Sequence, residues 1–182
     1  MIHHFLPTII VIAALLTACG AQKRDVAPIE PSAAADSLQT IYNDVLAAYN
    51  GEKTATQAEI DARYLTADYN ALIQQVVAAD EAIEAEGMIG FFDYDHWLFA
   101  QDYGELSVTV DRCEYVGDSV YLAEISLKNF GTEQKIEVSL TLENGRCLID
   151  DMRPLRNEKS EKQRMQEYLK SWEVDRLMSW WV

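Results

Sequence analysis

The sequence predicts an α+β fold in which helices pack on an antiparallel β-meander and a further helix follows the sheet. Apolar residues recur every three or four positions in residues 36–87 and again in 158–180, as on one face of a helix. Between residues 105 and 152 the apolar period is two, as in half-buried strands. Turn residues separate these alternating runs: Gly117-Asp118, Gly131 and Asn144-Gly145. We expect the helices to cover one face of the sheet.

The first helix is predicted from a regular apolar face. Asp36 or Ser37 is expected to cap its start, and Gly51 to end it. A short helical stretch is expected next, over residues 56–62. The apolar face of the first helix follows the i, i+3, i+4, i+7 spacing: Leu38, Ile41, Tyr42, Val45, Leu46 and Tyr49.

Two further helical segments precede the strands. Thr66 is expected to cap a longer helix that Gly87 closes. Asp95 is placed to cap one more short helix, residues 96–101. The longer helix carries an apolar set of six residues: Tyr69, Leu72, Ile73, Val76, Val77 and Ile83.

The strands are predicted from alternation, and the last strand, residues 146–152, stops before Pro154. The final helix, residues 158–180, places Trp172 close to Trp180 and Trp181. These tryptophans either pack on the fold or contact the bilayer interface or a partner. The apolar strand positions are Val108 and Val110, then Tyr121, Ala123, Ile125 and Leu127, then Ile136, Val138, Leu140 and Leu142.

The N-terminus has the form of a bacterial lipoprotein signal. An apolar run over residues 5–16 leads into Leu16-Thr17-Ala18-Cys19, and it is shorter than the roughly 20 residues of a membrane-spanning helix. In such signals the chain is cut before the cysteine, whose thiol is then acylated. We therefore expect lipidation at Cys19 and anchoring in the cell envelope. Gly20, in place of Asp, favours the outer membrane facing the periplasm.

This signal sets the predicted domain organisation. Pro28, Pro31 and the lack of an apolar period indicate a flexible tether before the first helix. The remaining chain is long enough for one domain with a core of its own. The predicted parts are a signal peptide (1–18), a tether (19–35), an α+β domain (36–154) and an amphipathic C-terminal helix (155–182).

The net charge of −15 is concentrated before the last helix. Between Glu59 and Asp102 ten carboxylates accompany one cation, Arg63. Such a surface repels nucleic acid and anionic lipid, so neither is expected as a partner. The carboxylates either form solvated helix faces or receive a basic protein partner.

The cysteines indicate neither zinc nor thiol-redox chemistry. Cys113 and Cys147 are the pair that remains beside Cys19, and they either form a disulfide or stay as two buried thiols. The chain has no C-x-x-C pair, no glycine-rich phosphate loop, no serine nucleophile elbow and no H-E-x-x-H. No cofactor and no metal are expected. Asp93-x-Asp95 begins like a calcium loop, but the glycine and glutamate that complete an EF-hand are missing.

One segment carries a family resemblance. Residues 91–102, Phe-Phe-Asp-Tyr-Asp-His-Trp-Leu-Phe-Ala-Gln-Asp, resemble a motif of the bacterial lipoprotein family called domain of unknown function 3828. Tyr64-Leu65-Thr66 and residues 148–152 are also similar to that family. The resemblance covers residues 36–154 and implies a cone like that of nuclear transport factor two, with a pocket between helices and a curved sheet. His96 stands where the family tends to have proline.

Two interpretations of this segment stay open. Asp93, Asp95 and Asp102 could form an acid–base site with His96, the one histidine of the chain after residue 18. Alternatively, Asp95 caps a helix, Gln101 and Asp102 bond backbone groups, and His96 is exposed. The candidate pocket residues are Tyr64, Asp93, Asp95, His96, Trp97, Gln101 and Asp102.

Binding is the function that these observations favour. The sequence predicts a lipid-anchored envelope protein that holds an envelope protein partner or a small ligand in the cone. An enzyme that uses Asp93, Asp95, His96 and Asp102 is one alternative. Another is an acidic inhibitor or immunity-type protein that covers a basic envelope enzyme. The sequence leaves the oligomeric state open.

Overall fold

The computed structural model describes residues 27–85 and 87–179, with side chains described as far as residue 173. The predicted α+β class, with N-terminal helices on an antiparallel meander and a C-terminal helix, is confirmed. The signal peptide, Cys19, Trp180 and Trp181 lie outside the described residues. The elements are α1 (Pro31–Tyr49), α2 (Gln57–Tyr64), α3 (Ala67–Glu84), β1 (Leu106–Gly117), β2 (Val120–Asn129), β3 (Thr132–Glu143), β4 (Arg146–Pro154) and α4 (Glu161–Ser179).

Helix α1 begins at Pro31, five residues before the expected cap at Asp36. Proline suits the first helical position, and the alanines that follow are strong helix formers. The chain is already ordered at Ile29, whose N–H donates to the Tyr121 hydroxyl (2.7 Å) and whose carbonyl accepts from it (2.9 Å). Part of the predicted tether therefore belongs to the folded domain.

Each of the next two helices begins at a threonine cap. The Thr56 side chain accepts from the N–H of Glu59, and the Glu59 carboxylate accepts from the N–H of Thr56. This reciprocal pair starts α2. The Thr66 side chain accepts from the N–H of Tyr69 and starts α3, as predicted. No helix among the described residues is long and apolar enough to cross a membrane.

The sheet is a four-stranded antiparallel meander in the order β1-β2-β3-β4. Asn144 and Gly145 both have positive φ, as the tight turn from β3 to β4 requires. The predicted alternation places one face of each central strand in the core. The buried set is Tyr121, Ala123, Ile125 and Leu127 on β2, and Ile136, Val138, Leu140 and Leu142 on β3.

The opposite face of the sheet is polar and carries ion pairs instead of a covering layer. Lys135 donates to Asp111 at 2.8 Å, and Arg153 donates to Glu137 at 2.9 Å. Cys113 on β1 and Cys147 on β4 are free thiols on the two edge strands, with β2 and β3 between them.

The core lies between the helices and the inner face of the sheet, and side chains fill it. Trp97, Tyr42 and Tyr69 have no exposed surface. From α4, Glu161 and Met165 are equally buried and close the core at the end of the sheet.

The predicted helix over residues 96–101 is wrong. The segment is a closed turn, in which the N–H of Asp95 donates to Ala100 and the N–H of Phe99 donates to Asp95. Phe99 has φ of +50°, which a continuing helix does not allow. Helix α4 begins at Glu161, three residues after the predicted start, because Ser160 and Gln163 cap it reciprocally.

Candidate functional site

The segment with the family resemblance, residues 91–102, is held against α3 by one buried carboxylate; we call it the motif segment. Asp80 accepts from the N–H groups of Phe91 (2.7 Å) and Phe92 (2.9 Å). It also accepts from the hydroxyl of Tyr168 on α4 (2.6 Å). Gly90 permits this approach, because a Cβ there would lie 2.5 Å from the Asp80 Cγ. One acid thus joins α3, α4 and the motif segment.

Asp95 organises the turn inside the motif segment. Its Oδ1 accepts from the N–H groups of Trp97 (2.9 Å) and Leu98 (3.0 Å), which is a capping role. Its Oδ2 accepts from the hydroxyl of Tyr49 at the end of α1. Burial and the Asp95 carboxylate raise the pKa of Tyr49, so the phenol stays a donor.

His96 is buried, so the expectation that it is exposed is wrong. Its Nε2 lies 3.0 Å from the Oδ1 of Asp61, and its Nδ1 lies 3.1 Å from the Nε2 of Gln57. Trp97 donates from Nε1 to the same Asp61 oxygen at 2.7 Å. Asp61 is therefore the acid that pairs with His96, in place of Asp93, Asp95 or Asp102.

The neighbours of His96 define its tautomer. The Gln57 amide nitrogen also lies 3.4 Å from the Oδ2 of Asp95, so this amide is oriented to donate towards both acceptors. His96 then accepts at Nδ1 and donates from Nε2 to Asp61. Both ring nitrogens have protein partners, and His96 lines none of the three clefts found among the described residues.

Sequence reasoning missed Asp61 and Gln57. The two residues are four apart on α2 and therefore face the same side of the helix. The signal that could have revealed them is this polar pair at helical spacing beside the apolar Ile60, which is typical of a buried polar contact.

The other candidate residues lie apart from this network. Asp93 is exposed and receives the Gln101 amide at 3.4 Å. Asp102 contributes its backbone carbonyl, which accepts from Asn129. The expected backbone bonds of the Gln101 and Asp102 side chains are therefore not the contacts observed. Tyr64 donates to Asp44 at the contact between α1 and α2.

Asp93 and Gln101 line a surface cleft of about 320 Å³, which we call the motif cleft. One wall is the motif segment, and the other is the connection from β4 to α4 together with Arg164. The cleft thus lies where the motif segment meets the first turn of α4. Its lining residues are Asp93, Tyr94, Phe99, Ala100, Gln101, Pro154, Arg156, Asn157 and Arg164.

The charge of Arg164 in the motif cleft is already neutralised. Arg164 donates to the Tyr94 hydroxyl (3.0 Å) and to the Oε2 of Glu161 (2.9 Å), and its guanidinium stands 5.6 Å from the centre of the Tyr94 ring. Glu161 accepts from Tyr94 with its other oxygen. Burial raises the pKa of Glu161.

Arg156 and Asp93 keep their charges without an ion-pair partner among the described residues. Both side chains belong to exposed residues that line the motif cleft. They do not pair with each other, since no nitrogen and oxygen of the two approach within 4.0 Å. The cleft therefore offers a free cation and a free anion at separate points.

A larger cleft, of about 420 Å³, lies on the outer face of the sheet beside the start of α4. Its charges are mostly engaged: Arg153 holds Glu137, and Asp151 accepts from the N–H groups of Met152 and Lys162. The smaller motif cleft is the better candidate, because its free charges are available to a ligand. No group of three or more His, Cys, Asp or Glu in the described part could hold a metal ion.

Comparison with protein-family models, with curated proteins and with solved structures gives no match in any of the three cases.

Proposed function

We propose that this protein is a lipid-anchored binding protein of the bacterial envelope that recognises its ligand at the motif cleft. The sequence motif around Cys19 supports the anchor. The resemblance of the motif segment to a bacterial lipoprotein family is consistent with the same location. The unpaired charges of Asp93 and Arg156 in one cleft are the observation that carries the proposal.

Packing of the core favours a surface ligand over a ligand inside the cone. Trp97, Tyr42 and Tyr69 occupy the space between helices and sheet without exposed surface, and Met165 of α4 closes it. Ligand pockets usually have volumes of about 300–1,000 Å³. The motif cleft reaches the lower end of that range.

The geometry supports binding over catalysis by the aspartate–histidine set. His96 is committed to Asp61 and Gln57, and a general base needs a free ring nitrogen within reach of the substrate. Asp93 and Asp102 are exposed, and neither carboxylate contacts His96, whose partners are Asp61 and Gln57.

The alternative that the protein is an acidic inhibitor of a basic enzyme has less support than its ten carboxylates between residues 59 and 102 suggest. Of the carboxylates between residues 59 and 102, Asp61 and Asp80 are buried, and Asp95 binds the turn that follows it. The Glu59 carboxylate caps α2. The acidic surface open to a basic partner is therefore smaller than the run of ten implies.

Photocrosslinking in living cells tests the proposal. A benzoylphenylalanine at Gln101, in the wall of the motif cleft, is expected to give an adduct on the purified protein. The mass of the adduct, read by intact-protein mass spectrometry, distinguishes a small ligand from a protein partner. Arg156→Gln is expected to reduce the adduct several-fold, because the cleft loses its free cation.

The control carries benzoylphenylalanine at Thr109, an exposed position on the outer face of β1. Absence of an adduct from Gln101, or an equal adduct from Thr109, would overturn the proposal. The proposal would also be overturned if the Arg156→Gln variant gave the adduct from Gln101 at full yield.

A further inference from the structure

We infer that the motif cleft binds a small zwitterion, with the cationic group of the ligand at Asp93 and the anionic group at Arg156. This inference rests on the proposed function, because it names the class of ligand that the cleft takes.

Arg156 provides the anion-binding end. It lies in the connection between β4 and α4, is exposed, and has no carboxylate partner in the part of the chain that the structure describes. Arg63 and Arg146 also lack an ion-pair partner among the described residues, but neither lines the motif cleft. A guanidinium offers parallel N–H groups that match a carboxylate or a phosphate.

Asp93 provides the cation-binding end. Its only bond among the described residues comes from the neutral Gln101 amide, at a long 3.4 Å. A carboxylate with this environment keeps lone pairs available for the N–H groups of an ammonium ion. Asp93 lies on the motif segment and Arg156 on the connection from β4 to α4, and the two side chains form no ion pair with each other.

The contacts of Arg164 also keep it from competing with Arg156 for the anionic group of the ligand. Its guanidinium is stacked on Phe91 (5.2 Å) and on Tyr94, and it is bonded to the buried Glu161. Arg164 therefore lines the cleft without adding net charge. Separated charges of opposite sign in one cleft are complementary to a ligand that carries both signs.

The middle of the cleft suits an amide-containing ligand. The Gln101 side chain reaches in from one wall, and the Asn157 side chain makes no hydrogen bond with the described residues. Side-chain amides donate to and accept from peptide groups. The volume of about 320 Å³ restricts the ligand to a small molecule such as an amino acid or a short peptide.

Titration with a dipeptide tests the inference. The purified full-length protein in detergent is titrated with L-alanyl-L-alanine, its N-acetyl derivative and its C-terminal amide, with calorimetric detection. Each modified dipeptide lacks one charge and is expected to bind at least about tenfold more weakly, the effect of losing a charge-assisted hydrogen bond. O-Phosphoethanolamine is titrated in parallel, since its binding would assign the zwitterion to a phospholipid headgroup.

Two variants match each end of the ligand to its residue. Asp93→Asn is expected to weaken the dipeptide about tenfold and to leave the N-acetyl derivative unchanged. Arg156→Gln is expected to weaken the dipeptide equally and to leave the amide unchanged. Glu114→Gln and Arg112→Gln, on exposed positions of β1, are the matched controls and should have no effect.

The outcomes separate this inference from the proposed function. Equal binding of the N-acetyl derivative, or no binding of dipeptide and phosphoethanolamine, would overturn the zwitterion. If the Gln101 crosslink still forms and still depends on Arg156, the cleft remains the binding site for another ligand. If the crosslink also fails, both ideas fail together.

Discussion

Asp61 is the residue on which the buried polar network depends. One of its oxygens accepts from the Nε2 of His96 (3.0 Å) and the Nε1 of Trp97 (2.7 Å), and all three residues are buried. These bonds attach α2 to the motif segment across 35 residues of sequence. Buried donors are costly when they have no acceptor, so the free energy of folding depends strongly on this carboxylate.

Removing the acceptor should therefore destabilise the protein. Asp61→Ala is expected to lower the free energy of unfolding by about 3 kcal/mol, because it leaves two buried donors unsatisfied. Asp61→Asn, which keeps one acceptor oxygen, should cost less. Denaturant unfolding measures both, and Asp36→Ala on the exposed face of α1 is the control, expected within about 0.5 kcal/mol of the unaltered protein. An equal loss in Asp36→Ala and Asp61→Ala would contradict this role.

Local contacts of the site could be predicted from the sequence, and distant ones could not. Asp95 binds N–H groups two and three residues ahead, so the cap is visible in the order of residues alone. The partner of His96 lies on another helix, and its identity depends on how α2 packs against the turn. Likewise, Arg156 became a candidate only when the fold placed it opposite Asp93.

At the scale of elements, the described part of α4 is attached through buried polar contacts as well as apolar ones. Glu161 bonds Tyr94 and Arg164, and Tyr168 bonds Asp80. Among its described residues only Met165 and Glu161 are fully buried. A helix held in this way depends on the ionisation of its buried acid more than a helix held by an apolar stripe.

The pH dependence of stability should report this attachment. Burial raises the pKa of Glu161 above its ordinary value of 4.5, so the folded state binds the proton more tightly than the unfolded chain. The contribution to stability is present below that ordinary value and is lost as pH rises through the pKa of the folded state. Glu161→Gln cannot titrate at this position, so its stability relative to the unaltered protein should improve as the pH rises above the ordinary value of 4.5.

Chemical unfolding at a series of pH values measures this difference. Glu167→Gln, at an exposed position on the same helix, is the control and should show no such trend. Parallel stability curves for Glu161→Gln and the unaltered protein would mean that Glu161 does not control the attachment of α4.

Elements with a long, regular apolar period were predicted well, and short segments were not. Alternation of apolar residues extends over seven residues in each of β2 and β3 and leaves one register that buries the apolar face. For residues 96–101 the only signals were the cap at Asp95 and a length of six residues. Both signals are equally compatible with a short helix and with a closed turn. The bond between Asp95 and Ala100 decides for the turn. The earlier start of α1 follows from Pro31 and the alanines, which have no apolar period.

At the scale of the molecule, the layer arrangement was predictable because the two apolar periods fall in separate parts of the chain. Helices with one apolar face and strands with one apolar face can bury both only by packing on each other. The filled interior was not predictable, since it depends on the summed volumes of Trp97, Tyr42 and Tyr69 in one place. We therefore propose the cleft on the surface, in place of the expected cone pocket, as the binding site.

A prediction at the scale of the whole protein concerns the proposed membrane anchor at Cys19. Cys19→Ala is expected to move the protein from the membrane fraction to the soluble fraction and to abolish incorporation of a clickable palmitate analogue, because acylation needs the thiol. Cell fractionation and in-gel fluorescence measure the two effects. Cys113→Ala, which removes a thiol on β1, should change neither. Retention of Cys19→Ala in the membrane would exclude the lipid as the anchor.

The bonds between Ile29 and the Tyr121 hydroxyl would orient the protein under the proposed lipid anchor. They fix the chain near the turn from β1 to β2, ten residues after Cys19 in the sequence. The motif segment lies towards the other end of the sheet, where Gln134, paired with Leu127, donates to Leu98. Six residues of strand separate Tyr121 from Leu127, or about 20 Å. An anchor at Cys19 would therefore leave the fold at the end of the sheet opposite the cleft, and the proposed binding site would face the aqueous side.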